Sequence, residues 1–150
     1  MQNGKTKYIW ELLNTVPDPE IPVISIVELG VVREIVFADN LYTINITPTY
    51  SGCPAVKTFM DDIKTCLKKN GINNFKLKLV YSPAWTTDWM SDQTKEKLNK
   101  YGIAPPSNTV NCPQCNSDNV QLISEFGSTA CKAMYKCSKC LEPFDFFKCI

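Results

Sequence analysis

The stretch from residue 112 to residue 140 is CPQCNSDNVQLISEFGSTACKAMYKCSKC. It contains two C-x-x-C pairs separated by 21 residues, formed by Cys112, Cys115, Cys137 and Cys140. Two such pairs can bring four thiolates to one tetrahedral point, which is the arrangement of a structural zinc site. Runs rich in strand-forming residues lie between the pairs at 120–124 and 133–136. We therefore predict a four-cysteine zinc ribbon over residues 106–150, whose folding energy comes largely from the metal because so short a segment builds little core.

The identity of the metal is left open by the spacing. Four cysteines suit an iron–sulfur cluster as well as zinc, and unligated or disulfide-bonded cysteines are a further alternative. The chain has eight cysteines and no histidine in 150 residues, so any transition-metal site should be ligated mainly by sulfur. The first residues lack the apolar run that a signal peptide contains. No stretch approaches the roughly 20 apolar residues of a membrane span. We expect a cytoplasmic protein with reduced thiols and no membrane contact.

Two further cysteines lie close to the ribbon pairs. Cys131 is inside the ribbon loop and Cys149 is the last residue but one. Each can be a small buried hydrophobic residue. Because both flank a metal site, they are also candidate accessory thiols for a second, labile metal or cluster.

The charge balance argues against a nucleic-acid partner. The chain carries 16 basic and 15 acidic residues, a net charge of +1, and Arg33 is its single arginine. In the ribbon segment, lysines and acidic residues balance as well. The electrostatic attraction that drives nucleic-acid binding is therefore missing, and we predict no nucleic-acid partner.

Residues 1–105 combine helical and strand patterns. The predicted elements are a helix at 6–14, strands at 31–37 and 41–47, a helix from Pro54 to Asn70, a strand at 75–81 and a helix at 92–101 with Ser91 as N-cap. This order predicts a small two-layer α/β sandwich of the α+β class, followed by the ribbon. Pro105 and Pro106 lie in a breaker-rich linker, so we place the boundary between domains 1–105 and 106–150 there.

Cys53 is the candidate functional thiol of the first region. It stands in Gly52-Cys53-Pro54, at the predicted start of an amphipathic helix, where unpaired amides and the helix dipole favour a thiolate. A thiolate is both a nucleophile and a metal ligand. Without histidine no cysteine–histidine mechanism is available, and a buried cysteine without chemistry is the alternative interpretation.

Asp18 and Glu20 form an acidic pair among prolines. Two carboxylates so close can hold a cation or act as a general acid–base pair. A rigid, capped turn is the simpler interpretation of the same residues.

Four motifs together resemble, in order, the domain shared by iron–sulfur assembly factors of the SufT type. They are Asp18-Pro-Glu-Ile-Pro22, Val27-Glu-Leu-Gly-Val-Val32, Thr47-Pro-Thr-Tyr-Ser-Gly-Cys53-Pro54 and the stretch Ser82-Pro-Ala-Trp-Thr-Thr-Asp-Trp-Met-Ser91. The ribbon motifs resemble one branch of that group, the PaaD (PaaJ) family of accessory proteins of the phenylacetyl-CoA monooxygenase (ring-1,2-epoxidase). They are Ile123-Ser-Glu-Phe-Gly-Ser-Thr-Ala-Cys-Lys132 and Glu142-Pro-Phe-Asp-Phe-Phe-Lys-Cys149.

The resemblance implies a role in bacterial phenylacetate catabolism, as a maturation factor that assists assembly or insertion of an iron–sulfur cluster. It implies that the partners are the oxygenase and reductase subunits, above all the iron–sulfur reductase. It also implies that Cys53 handles iron or a cluster transiently, with Asp18 and Glu20 nearby, beside a structural zinc. A chain without histidine, phosphate loop or dinucleotide fingerprint lacks the residues of an oxygenase or reductase, so we expect an assembly factor and no enzyme. A non-catalytic structural or adaptor subunit of the oxygenase complex is the alternative.

Overall fold

The computed structural model describes residues 4–49, 56–127 and 129–148. The chain divides into two compact units, Met1–Trp85 and Thr86–Ile150. In the described residues, no helix combines the length and the apolar character needed to cross a membrane.

The first unit is a three-stranded sheet with helices. Its elements are α1 (Gly4–Leu13), α2 (Ile26–Leu29), β1 (Val32–Ala38), β2 (Leu41–Ile46), α3 (Val56–Lys69) and β3 (Phe75–Leu79). The strand order is β1-β2-β3. The β1–β2 pair is an antiparallel hairpin, whereas β3 runs parallel to β2. The long crossover that parallel pairing requires is supplied by the segment that contains α3.

Alternation along the strands selects the face of this sheet that is buried. Tyr42, Ile44 and Ile46 of β2 are buried, and they pair with Phe75, Leu77 and Leu79 of β3. The helices α1 and α3 add buried residues at helical spacing, namely Ile9, Leu13, Phe59, Ile63 and Leu67. These two helices contact each other, and α1 contacts β1. The core of the first unit therefore lies between a helical layer and one face of the sheet.

The short helix α2 was not predicted, although the sequence marks both of its ends. Ser25 Oγ accepts a hydrogen bond from Glu28 N at 3.0 Å, and Glu28 Oε1 accepts one from Ser25 N at 3.1 Å. This reciprocal pair is a capping box, which satisfies amides that the first turn leaves free. Gly30 ends the helix in the left-handed conformation with φ 88°, which glycine adopts at little cost.

The second unit contains a helix and a four-stranded sheet. Its elements are a 3-10 helix (Thr87–Trp89), α4 (Asp92–Tyr101), β4 (Ile103–Ala104), β5 (Val120–Ser124), β6 (Lys132–Cys137) and β7 (Pro143–Phe147). The strand order is β4-β7-β6-β5. The α4 bounds and its Ser91 N-cap match the prediction. The core of the second unit consists of Ala104, Cys112, Ala133, Cys137, Phe144 and Phe146.

The compact units divide earlier than the domain boundary predicted near Pro105. The physical reason is that α4 contacts β4, and β4 pairs with β7 of the ribbon sheet, Ile103 with Asp145 and Ala104 with Phe146. The helix predicted to end the sandwich therefore belongs to the compact unit that contains the ribbon. The boundary between domains 1–105 and 106–150 stays a prediction.

Candidate functional site

The four cysteines of the two C-x-x-C pairs converge. The sulfur atoms of Cys112, Cys115, Cys137 and Cys140 all lie within 4.8 Å of one another. The Sγ atoms of Cys112 and Cys140 are 3.6 Å apart, and those of Cys115 and Cys137 are 3.5 Å apart. Sulfurs bonded to zinc at about 2.3 Å would be about 3.8 Å apart in a regular tetrahedron. The group therefore fits one tetrahedral metal ion.

The same distances decide against disulfides within the group. A disulfide bond is about 2.05 Å long, whereas the two closest sulfur pairs are 3.5 and 3.6 Å apart, and all four cysteines are free thiols. In the part of the chain that the structure describes, this is the single cluster of three or more cysteine, aspartate or glutamate side chains with metal-binding geometry.

The two cysteine pairs are held by the same backbone pattern. Cys112 N donates to Ser117 O, and Cys137 N donates to Glu142 O, each at 2.9 Å. The Sγ of Cys112 accepts from Gln114 N at 3.4 Å. The Sγ of Cys137 accepts from Lys139 N and Cys140 N, each at 3.4 Å. Such bonds orient a sulfur and stabilise its negative charge before metal arrives.

Each pair is followed by a residue in the left-handed conformation. Asn116 has φ 62° after the first pair, and Leu141 has φ 66° after the second. The turn requires this conformation, although glycine is the residue that adopts it most readily. These two positions were missed in the sequence, where asparagine gives only a weak signal and leucine gives none.

The environments of the two cysteines in the second pair differ. The N–H of Cys140 is the main cause that lowers the pKa of Cys137 to about 6, helped by a second N–H and by neighbouring thiols. The N–H of Glu142 has the largest effect on Cys140 and lowers its pKa, but desolvation and three neighbouring thiols together raise that pKa to about 12. Because the pKa of Cys140 is raised, metal binding at neutral pH must displace protons from this group.

Cys131, one of the two candidate accessory thiols, lies outside this group. Cys131 is buried, and its Sγ lies 3.0 Å from Thr129 Oγ1. It does not belong to the four-sulfur cluster found among the described residues. Cys149 lies outside the described residues. The accessory role of both thiols stays a prediction.

Asp18 closes the proline-rich turn. Its side chain is only 4% exposed, and its Oδ1 accepts hydrogen bonds from Glu20 N at 2.9 Å and Ile21 N at 2.8 Å. Its own N–H donates to Ile24 O at 2.9 Å. These bonds support the interpretation of a rigid, capped turn. Glu20 is half-buried, and a direct role of either carboxylate in cluster handling stays a prediction.

Cys53 lies outside the described residues, since the structure describes α3 from Val56 onward. Trp85, from the fourth motif of the first region, is buried and donates its indole N–H to Leu29 O at 3.0 Å. That motif therefore contains a tryptophan that packs within the first unit, in hydrogen-bond contact with the last residue of α2.

Comparison with known proteins finds two different families in two different segments of the chain. A protein of Escherichia coli, provisionally named as one of the subunits of 1,2-phenylacetyl-CoA epoxidase, is 48% identical over 95% of this chain and 92% of its own length. The chain belongs to the PaaD family. Residues 99–148 match the PaaD zinc beta ribbon domain, and residues 6–71 match the iron-sulfur cluster assembly protein family.

Two less similar proteins each cover about three fifths of this PaaD-family chain. An Fe-S protein maturation auxiliary factor of Porphyromonas gingivalis is 34% identical over 60% of this chain and 87% of its own length. The crystal structure of a domain of unknown function, DUF59, from Bacillus anthracis superimposes with a TM-score of 0.57 and 30% identity. It covers 61% of this chain and 89% of that chain. The predicted α+β fold with a carboxy-terminal metal-binding ribbon is thus confirmed.

Proposed function

We propose that this protein is a maturation factor of the phenylacetyl-CoA epoxidase system that assists assembly or insertion of an iron–sulfur cluster. The observation that carries the proposal is the combination of two matches in one chain. The match to the iron–sulfur assembly family and the match to the PaaD ribbon occupy separate segments, 6–71 and 99–148. The client we propose is the iron–sulfur reductase of the same system.

The ribbon has a structural role in this proposal. Its four thiolates hold one zinc ion, which fixes the ends of β6 and of the two cysteine turns. Two of the ligands, Cys112 and Cys137, belong to the buried core of the second unit, whereas Cys140 is exposed. A metal tied so closely into the core is suited to stabilising a fold. Zinc has no redox chemistry, so it suits a structural role better than an iron–sulfur cluster that must be transferred to another protein.

The first unit carries the transfer step in this proposal. The Cys53 thiolate ligates iron or a cluster during transfer, on the N-terminal side of α3. Asp18 holds its own proline-rich turn rigid through two backbone hydrogen bonds, and in this proposal that turn lies near Cys53. Preorganisation of this kind reduces the entropy lost when a ligand is captured.

The test replaces the proposed thiol and leaves the ribbon intact. Cys53→Ser in the full chain should retain metal in the ribbon but fail to restore iron and acid-labile sulfide to the reductase produced in the same cells. Cys66→Ser is the matched control, because Cys66 is a half-buried thiol in α3 whose Sγ contacts Leu12 O at 3.5 Å. Full restoration by Cys53→Ser would refute the proposed thiol.

An adaptor role is the second candidate, favoured because the Escherichia coli relative is named as part of the epoxidase itself. An adaptor would co-purify with the oxygenase subunits in fixed stoichiometry, and the Cys53 substitution would leave both the complex and the cluster content of the reductase unchanged. The same pair of variants therefore separates the two functions.

A further inference from the structure

The hydroxyl of Thr47 is a buried polar group that makes no hydrogen bond to the described part of the chain. Thr47 is only 2% exposed, and its Oγ1 atom has no partner there. The next residue is Pro48, which has no backbone N–H to donate. A buried hydroxyl without a partner lowers stability, because it has given up its hydrogen bonds to water. Such a group in a folded protein points to a ligand or to a functional role.

Thr47 lies at the point where the chain leaves the first sheet. Its N–H donates to Val31 O, just before β1, at 2.8 Å. Beside it, Val80 N, just after β3, donates to Ile46 O at 2.8 Å. The strands β2 and β3 are parallel, so their carboxyl ends meet at the same edge of the sheet. We call this edge, which also holds the start of the antiparallel β1, the carboxyl edge.

The first turn of α3 lies at the carboxyl edge as well. Tyr42 N, near the start of β2, donates to Asn74 O at 2.9 Å, so the chain passes from α3 into β3 at the opposite edge. The 14 residues of α3 span about 21 Å, and the six residues of β2 span about 20 Å. A crossover helix of that length runs back along the strands to the carboxyl ends. In open sheets with parallel strands, this is the edge where ligands bind.

Three of the four motifs that resemble SufT-type factors meet at the carboxyl edge. The motif at 27–32 leads into β1, the motif at 47–54 begins directly after β2, and the motif at 82–91 begins after β3. Trp85 donates its indole N–H to Leu29 O at 3.0 Å, which joins the first and last of these motifs. In the sequence, Cys53 stands six residues after Thr47 and three before the first residue of α3. The unpartnered hydroxyl therefore belongs to the motif of the proposed thiol.

We infer that Thr47 is a positioning residue for the transfer step. Its hydroxyl donates a hydrogen bond to the Cys53 sulfur when that sulfur ligates iron or a cluster. The inference rests on the proposed function of Cys53. A ligating thiolate carries negative charge and accepts hydrogen bonds, which orient the sulfur and stabilise the bound metal. The buried hydroxyl thereby gains a partner that the contacts of the described residues do not supply.

The test measures how fast bound iron is lost to an excess of chelator, using the full chain loaded with ferrous iron and sulfide without oxygen. Thr47→Val should lose its iron about tenfold faster than the wild type, because one hydrogen bond to a charged sulfur is missing. Thr47→Ser keeps the hydroxyl and should lose iron at the wild-type rate. Thr43→Val is the matched control, since Thr43 is a half-buried threonine of the same strand, near its opposite end, and it should not change the rate. Equal rates for Thr47→Val and the wild type would overturn the inference.

Urea unfolding of the same variants without iron separates positioning from a structural role. Thr47→Val should leave the midpoint of the first unit unchanged or raise it, because a methyl group replaces an unpartnered hydroxyl of similar shape. A lowered midpoint together with faster iron loss would assign Thr47 a structural role and overturn the inference. Cys53→Ser distinguishes this inference from the proposed function. If Cys53→Ser fails to bind iron while Thr47→Val keeps the wild-type rate, only the role of Thr47 is refuted. If Cys53→Ser binds iron as the wild type does, the proposed thiol is refuted together with it.

Discussion

Replacing Cys137 with serine should uncouple the ribbon from its metal and unfold the second unit. Cys137 is fully buried, its Sγ lies 3.5 Å from that of Cys115, and it also belongs to the core. A structural zinc contributes about 10–16 kcal/mol to the folding of zinc-finger peptides. Full burial of a phenylalanine contributes about 1.5–3 kcal/mol. Loss of the metal thus removes more folding free energy than burial of Phe144 and Phe146 together contributes.

The assay is amide hydrogen exchange combined with metal analysis. In Cys137→Ser, amides of β6 and β7 should exchange as in an unfolded chain, while those of β1 and β2 keep wild-type protection. Cys131→Ser is the control, since Cys131 is also buried but lies outside the four-sulfur group. It should retain the metal and the protection of β6. One metal per chain with protected β6 and β7 amides in Cys137→Ser would show that the metal does not hold the ribbon together.

Three single contacts of the first unit and the protonation of the metal site can be tested separately. Asp18→Ala leaves two backbone N–H groups without their acceptor and should lower the free energy of unfolding of the first unit by about 1–3 kcal/mol in urea titrations. Ser25→Ala removes the α2 cap and should cost about 1 kcal/mol in the same titration. Trp85→Phe leaves the buried Leu29 carbonyl unpaired and should cost about 1–3 kcal/mol, whereas no change would show that water replaces the indole. Because the pKa of Cys140 is raised to about 12, metal uptake at pH 7 should release protons and metal affinity should fall as the pH falls. Calorimetry in buffers of different ionisation enthalpy measures that release, and equal heats would contradict it.

Local signals predicted those parts of the fold that depend on neighbouring residues. Ser91 caps α4 as expected because its hydroxyl bonds Thr94 N, an interaction within one turn. The two cysteine pairs predicted the metal group because a C-x-x-C turn fixes two sulfurs locally, and the strands between the pairs bring the two turns together. The predicted strand at 120–124 corresponds to β5.

Features that depend on distant partners were harder to obtain. The strand β7 was missed because the run from Pro143 to Phe147 begins with a proline and its alternation stops at Phe147. The burial of its phenylalanines depends on pairing with β6. The parallel direction of β3 is likewise decided by the crossover and not by its own residues. The helix α2 is a different case. Ser25 and Glu28 form a capping box that is visible in the sequence, but a helix of four residues is too short to show a helical pattern of apolar residues.

The central claim is that the ribbon holds a structural zinc, whereas the assembly domain binds iron or a cluster. The most direct test is metal and sulfide analysis of the full chain, purified and reconstituted with iron and sulfide in the absence of oxygen. We predict one zinc per chain in the wild type and in Cys53→Ser, loss of that zinc in Cys137→Ser, and bound iron and sulfide that disappear in Cys53→Ser. Iron and sulfide that survive Cys53→Ser but disappear in Cys137→Ser would contradict this division, because the cluster would then reside in the ribbon.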